Sequence, residues 1–504
     1  MNMKFKYLAA ITMAMGLFSC SNDEGLDNTT PGGQGILGNA ETYATIRIAM
    51  PGGADAMGRA LTKTDPETGD GLEVGSENEN KFHDLTLYFF EGYDKTTTCK
   101  GVLTMENSKF NPQQVEDKNV VYTTNAPIKV GIEGENMRVY AVMNGSVSGA
   151  GQGITLEKFL QKTVNTDAVF NKENTKFLMT SRTPDNFSLL SADNNTADKA
   201  ASLEVSVERT AAKICYKAQN ANNTYSVLNE KDQTVVASVT LKEYKLVNLR
   251  NDAYYFRKVA GADGNWQSAP DFGSGVQKID NYVIDPYFTT KTVTETEDPD
   301  FFTNWFGEGK AYADNSTEYQ TLSIETKEHE TLAYCMENTT TQDAQLNGYS
   351  TGIIFKATYT PKQVYVLNQE ENKFEAQNYE AGSNFYRYGN VLYKDKEEVK
   401  KFYGLTDEKL IETFTGDTQT GGATCYYKYW IRHMDNGNAE QMGTMEFAIV
   451  RNNAYKLDVK AVSGLGEPTD EIDPNIPDES SKMYLNVNVT IMPWVVRNNN
   501  NIIL

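Results

Sequence analysis

The chain has 504 residues, too many for one ordinary domain at roughly 150 residues each. Its 11% aromatic content excludes a disordered chain, and a formal net charge of −21 makes it a poor partner for nucleic acid or an anionic membrane surface. Only 3 His and 5 Cys are present, so a His-based metal or catalytic centre would have to be assembled from almost nothing.

Lys4 and Lys6 precede an apolar run from Leu8 to Phe18. The run is too short to cross a bilayer as a helix and has the shape of a secretory signal. It ends Leu17-Phe18-Ser19-Cys20, which resembles a bacterial lipoprotein signal, although Phe18 stands where a small residue is usual. That resemblance implies lipidation of Cys20, with the lipid as the only membrane anchor; the alternative is a plain cleaved signal peptide. The polar Ser21-Asn22-Asp23-Glu24 behind it is similar to the acidic export tag of surface lipoproteins in Bacteroidetes. Residues 21–40 read as a flexible tether. They contain a formal G-x-G-x-x-G at 33–38, which is not a dinucleotide site because no strand precedes it.

From 42 to 50 the pattern alternates, with Ala44, Ile46, Ile48 and Met50 on one face: a half-buried strand. Pro51-Gly52-Gly53 ends it, and a loop containing Arg59-Ala60 runs to about Asn80. Further strands are expected at 85–90, 138–143, 203–217, 235–249 and 353–360, with a short helix near Thr155–Leu160. Tyr254-Tyr255-Phe256 reads as the return arm of a hairpin, and 395–414 as two short helices inserted in a β frame. Thr424–His433 and Met445–Lys460 read as a closing strand pair. The polar stretch 218–224 is the expected boundary between one β-sandwich at 41–217 and another at 225–465. Residues 466–482 hold three prolines and read as a spacer. In the last segment, 483–504, Leu485, Val487, Val489 and Ile491 alternate with polar residues, and Pro493-Trp494 follow.

No constellation for catalysis emerges. His83, His329 and His433 are scattered without metal-ligand spacing, and no nucleophile motif stands beside a base. The expectation is a protein that is no enzyme and takes no cofactor or metal. Cys99, Cys215, Cys335 and Cys425 are far apart and read as free, mostly buried thiols.

Taken in order, these pieces resemble the fimbrillins of Bacteroidales, subunits of type V pili, most like the Mfa-type minor-fimbrium stalk subunit. The carrying segments are the signal ending at Cys20, TYATIRIAM with the Arg59 loop behind it, VYAVMN, and Val207-Glu208-Arg209-Thr210-Ala211-Ala212-Lys213. They continue with FKATYTPK at 355–362, Val450-Arg451-Asn452-Asn453-Ala454-Tyr455-Lys456-Leu457, Gly466-Glu467-Pro468, and the terminal strand with Pro493-Trp494. The resemblance implies an all-β chain of two tandem transthyretin-like β-sandwiches, an outer-membrane lipoprotein precursor, and a surface fimbrium that supports adhesion. It also implies that proteolysis at the cell surface removes the first strand. Arg59 is the only Lys or Arg between Arg47 and Lys63, so an arginine-specific protease would cut between Arg59 and Ala60; Lys63 is the runner-up for a lysine-specific or less selective protease. A neighbour's Leu485, Val487, Val489 and Ile491 would then replace Ala44, Ile46, Ile48 and Met50, with Trp494 locking the end. The partners expected are other copies of the chain, anchor and tip subunits, and the protease. The rival readings are a non-polymerising, carbohydrate-binding surface lipoprotein, a secreted glycosidase or protease, and a tip or anchor subunit.

Overall fold

The computed structural model describes residues 38–50, 73–116, 119–171, 175–181, 185–260, 266–268, 282–287, 318–324, 328–433, 435–438, 441–443, 445–480 and 485–495. Alternating apolar side chains build two sandwiches, and the first grows from β1 (Tyr43–Met50), β2 (Asp84–Glu91), β3 (Gly101–Glu106), β4 (Asn119–Thr123), β5 (Ile128–Lys129), β6 (Gly134–Met143), β7 (Met179–Ser181) and β8 (Ala201–Arg209). They join in the order β3-β2-β6-β7-β8-β1-β4, so β1 is an interior strand. The sheet folds over one core in which Leu85, Leu87, Phe89, Val139, Leu203 and Val205 meet the apolar face of β1.

The opposite faces of β2 and β6 carry a second core, where Tyr88, Phe90 and Tyr140 are covered by the helix α1 (Leu156–Leu160). Thr155 caps that helix by accepting from the Lys158 N–H, which satisfies one of its unpaired first-turn donors. Ala253, Tyr255 and Phe256 close this core from the other half of the chain. Asp252–Tyr254 therefore pairs with Thr163–Asn165 of the first half, and the expected local hairpin is not formed. The reason is burial: Tyr255 and Phe256 find an aromatic cluster, with Phe256 5.1 Å from the rings of both Tyr140 and Phe159.

The second sandwich contains β9 (Ala212–Lys217), β10 (Thr224–Leu228), β11 (Val235–Val247), β12 (Glu330–Cys335), β13 (Gly352–Pro361), β14 (Gly422–Trp430), β15 (Asn453–Val462) and β16 (Leu485–Val495). One sheet runs β16-β15-β9-β12 and the other β10-β11-β13-β14. Ile214, Tyr216, Val239, Phe355, Tyr427 and Leu457 fill the space between them. The sequence reads 203–217 as one strand, but the chain passes between cores at Thr210-Ala211, so that β8 serves the first sandwich and β9 the second. No Gly or Pro marks the crossing, and both halves alternate, which is why the pattern runs through it. The expected pairing of 424–433 with 445–460 is also not formed, since β14 pairs β13 and β15 pairs β9 in the facing sheet.

Between β13 and β14 an inserted five-stranded sheet carries the helix α2 (Lys396–Tyr403), capped by Asp395 at its start and ended by Gly404 in the left-handed conformation. A further 3-10 turn at Glu408–Leu410 completes the two short helices expected there.

Candidate assembly site: the first and last strands

β1 is held on both sides. Ile46 and Ile48 stand opposite Leu203 and Val205 of β8 in parallel register, and Ile48 and Met50 stand opposite Tyr122 and Val120 of β4 in antiparallel register. The Ile46 amide donates to Thr124 Oγ1 at 3.1 Å and its carbonyl accepts from the Thr124 N–H at 2.9 Å. Thr42 Oγ1 donates to the Ile132 carbonyl at 2.7 Å, fixing the strand's start. Ala44, Ile46, Ile48 and Met50 are all buried in the first core. Arg47 points to the other face and pairs with Glu204 of β8. Taking β1 away would leave a slot lined by the inner faces of β8 and β4 with two rows of unpaired backbone groups, a template for strand addition.

The last strand lies on its own domain. β16 pairs antiparallel with β15, placing Val487, Val489 and Ile491 opposite Val459, Leu457 and Tyr455. Leu485 is buried in the second core, and Val487 and Val489 pack against it. Among the described residues, β16 has a partner on one side along most of its length, and on the other side Trp494 and Val495 are matched by Glu73 and Val74. The side chains of Ile491 and Trp494, and Cys20, Arg59 and Ala60 as whole residues, lie outside the described residues.

Residues 466–480 do not hold β16 away from the domain. Lys428 pairs with Glu467, Lys245 with Asp470, Ser350 with Asp478 and Arg432 with Glu479. The Asn347 and Gly348 amides donate to the carbonyls of Ile476 and Pro474. The acids that make this stretch read as a solvated spacer are the groups that fasten it.

The residues that sequence reasoning missed sit where the two sandwiches meet. Arg209 is fully buried; its amide donates to Asn452 Oδ1 at 3.3 Å and its Nε to the Glu79 carbonyl at 3.2 Å. Lys213 Nζ lies 3.1 Å from Glu79 Oε1, which also accepts from the Tyr334 hydroxyl at 2.5 Å. Arg257 pairs with Glu208 at 2.7 Å. Arg451 and Glu337 form a two-bond ion pair at 2.8 and 2.6 Å, both side chains without exposure. Thus the Glu208–Lys213 and Arg451–Tyr455 segments, singled out above for other reasons, face one another across the junction. Burial drives the Glu79 carboxyl upward, but Lys213, Tyr334 and the Ser76 amide outweigh it and leave it below the usual carboxylate value. Burial first, and then the same carboxylate, push the Tyr334 hydroxyl far up.

A lowered native pKa stabilises the fold above the unfolded value and stops doing so as pH falls through the native one. Acid should therefore weaken the junction below the ordinary carboxylate range near 4.5. Thermal melts from pH 7 to 3 should show the native protein losing more stability than a Glu79→Gln variant over that window. Equal losses would show that Glu79 contributes nothing to acid sensitivity.

His83, His329 and His433 have ordinary partners, the Thr175 carbonyl, Asp458 and the Tyr455 hydroxyl. Cys99, Cys215, Cys335 and Cys425 are buried free thiols. Among the described residues no helix is long and apolar enough to cross a membrane.

Residues 420–500 match the family described as "Major fimbrial subunit protein type IV, Fimbrillin, C-terminal". The matched span begins just before β14 and takes in β15, the fastened stretch and β16. Solved structures similar to this chain include a putative cell adhesion protein from Parabacteroides distasonis, 14% identical, covering 91% of this chain and 99% of that one at a TM-score of 0.44. A fimbrilin (FimA) from Porphyromonas gingivalis is 16% identical, with coverage of 91% and 99% and a TM-score of 0.41. The tip fimbrial protein Mfa3 from Porphyromonas gingivalis, with a C-terminal truncation, is 10% identical, with coverage of 90% and 100% and a TM-score of 0.33. No curated protein matches the chain.

Proposed function

We propose that this chain is the stalk subunit of a surface fimbria of the Mfa-type minor kind, and that it polymerises by strand exchange. In this reading it is exported as a lipoprotein carrying its lipid on Cys20, delivered to the outer membrane, and cut between Arg59 and Ala60 by a surface arginine-specific protease. The slot left by β1 then receives β16 of the next subunit, and the fibre serves adhesion. The observation that supports this best is the placement of two interchangeable strands. β1 is an interior strand preceding the segment that contains Arg59, and β16, at the other end of the chain, carries the same alternation and pairs with β15.

The energetics favour exchange once β1 is gone. Leu485, Val487, Val489 and Ile491 are each worth roughly 1.5–3 kcal/mol on burial, but Leu485, Val487 and Val489 already pack on the second core, so burial alone does not drive release. What changes is backbone pairing: among the described residues β16 has one long neighbour at home, β15, and would have two, β8 and β4, in the slot. The empty slot also loses its exposed apolar lining. Removing β1 by cutting within 51–72 would in addition part it from Glu73–Val74, the strand against the end of β16.

The reading is tested by the N-terminus of protein sheared from the cell surface. The expected sequence begins at Ala60; Lys63 as the last residue removed would move the cut without changing the mechanism. A mature chain that begins at Cys20 and is nonetheless found in fibres would overturn it.

A further inference from the structure

The inserted sheet ends on an open strand, Lys373–Asn378, whose one strand partner among the described residues is Gln363–Asn368. We propose that this edge pairs antiparallel with the same edge of a second copy of the chain. The pairing needs no strand exchange and is open to the unprocessed monomer. Its consequence for fibres, side-by-side association, rests on the function proposed above.

A free edge is a template for another strand unless a bulge, a proline or a central charge blunts it. This edge is regular. Its pairing with Gln363–Asn368 runs from end to end without a register shift, it contains no proline, and Lys373 stands at its first position. Lys373, Ala376, Gln377 and Asn378 are exposed. The Tyr379 N–H donates to the Lys362 carbonyl at 2.9 Å. Alternation from that bond turns the backbone groups of Lys373, Glu375 and Gln377 toward the neighbouring strand and those of Phe374, Ala376 and Asn378 outward.

Self-pairing must set outward groups against outward groups, so the two-fold axis falls on a residue of the strand. With the axis on Ala376, Phe374 stands opposite Asn378 and Ala376 opposite its own copy. That arrangement closes about six backbone hydrogen bonds, two from each outward pair. Glu375 then faces the copy's Gln377, a carboxylate beside an amide donor. An axis on Glu375 sets like charges against each other and closes only about four bonds. An axis on Phe374 runs the ladder into the turn at 369–372, where Asn372 has a left-handed backbone with φ 47°. An axis on Gln377 carries it past the strand's end at Asn378. The strand therefore favours one register with itself.

One face beside the edge is apolar. Tyr365, opposite Ala376, and Phe402 and Tyr403 at the end of α2 are exposed by 40%, 38% and 44%. Phe374 joins them, its ring 4.9 Å from that of Phe402 and 6.1 Å from that of Tyr403. A two-fold axis normal to the sheet keeps this face on the same side in both copies, so the two sets of rings adjoin, and the small Ala376 at the axis leaves room for them. The rings supply the apolar burial that a short ladder lacks. In a fibre the edge repeats with every subunit, so weak single contacts add. The chain's charge of −21 opposes the approach of two copies, and association should strengthen as salt rises.

Sedimentation equilibrium of the unprocessed chain should show a concentration-dependent dimer that is stronger at physiological than at low salt. Ala376→Pro replaces an outward N–H with the proline ring, which an edge position tolerates. It should weaken the dimer tenfold or more and leave the melting curve within a few degrees of native. Cysteines read the register, in a Cys20→Ser background where the four described native thiols are buried. Glu375→Cys and Gln377→Cys chains oxidised as a mixture should form covalent dimers, since opposed Cα atoms outside the hydrogen-bonded pairs lie roughly 4.5 Å apart. Either chain oxidised alone should not, because like positions then sit two residues out of register. A native chain that stays monomeric into the millimolar range overturns the proposal. So does a dimer that Ala376→Pro leaves intact, or cross-linking as strong in one chain alone as in the mixture. All of this is measured before cleavage, so a failure of strand exchange would leave the result unchanged.

Discussion

A subunit whose last strand is locked to its own sheet should not polymerise at all. Lys456 of β15 and Thr490 of β16 are direct partners in the antiparallel ladder. Opposed residues in such a pair bring Cα atoms to roughly 4.5–5.5 Å, within the range a disulfide spans. Lys456 lies on the solvent side of β15, so Lys456→Cys with Thr490→Cys spares the core. The four described cysteines are buried and do not compete for the new bond. The oxidised, Arg59-cleaved protein should remain monomeric by light scattering, and reduction should restore fibre growth. The complementary pair places a cysteine at Val205, opposite Ile48 on β8, and another at Val489. In assembled fibres it should give a ladder of covalent oligomers, since Val489 would stand where Ile48 stood. Normal fibres from the oxidised Lys456/Thr490 variant would refute exchange of β16, because a strand cannot leave a sheet to which it is bonded.

How much of this was legible depended on the distance over which each contact acts. β1 and β16 announce themselves because period-two alternation is a local property, and α1 because Thr155 caps a short run beginning at Leu156. The crossing at Thr210 was not legible, because the residues on both sides are strand formers with the same alternation and only the identity of the core changes. Residues 466–480 were misread for a related reason. Prolines and acids give no strand pattern, and the lysines and arginine that hold them lie far away in sequence, as Lys245 does from Asp470. The junction was hidden most deeply. Glu208, Arg209, Lys213, Glu337 and Arg451 have the composition of a solvated surface, yet all five are buried. Only pairing makes that tolerable, and pairing over more than 100 residues leaves no trace in local pattern.

That junction carries the largest expected effect on stability. Arg451 spends its guanidinium on Glu337 and on the carbonyls of Tyr254 and Tyr255, at 2.7 and 2.9 Å. The Tyr255 carbonyl also accepts from Thr180 of β7 at 2.8 Å, so this one side chain ties the second sandwich to the segment that covers the first. Arg451→Met would leave Glu337 charged and buried and strip two carbonyls of a donor. Breaking a buried pair from one side costs about 3–5 kcal/mol, since the remaining charge loses its compensation. Arg451→Met/Glu337→Leu should recover part of that loss, because replacing both members of a buried pair with apolar groups is often close to neutral. The Tyr254 and Tyr255 carbonyls still lack the Arg451 guanidinium in the double variant, so recovery should be incomplete. Calorimetry checks more than the magnitude: the native chain should unfold in one transition and Arg451→Met in two, the sandwiches now separating before each melts. A single transition shifted by less than about 1 kcal/mol would mean that the shared aromatic core around Tyr140 and Phe256, and not the ion pair, couples the two halves.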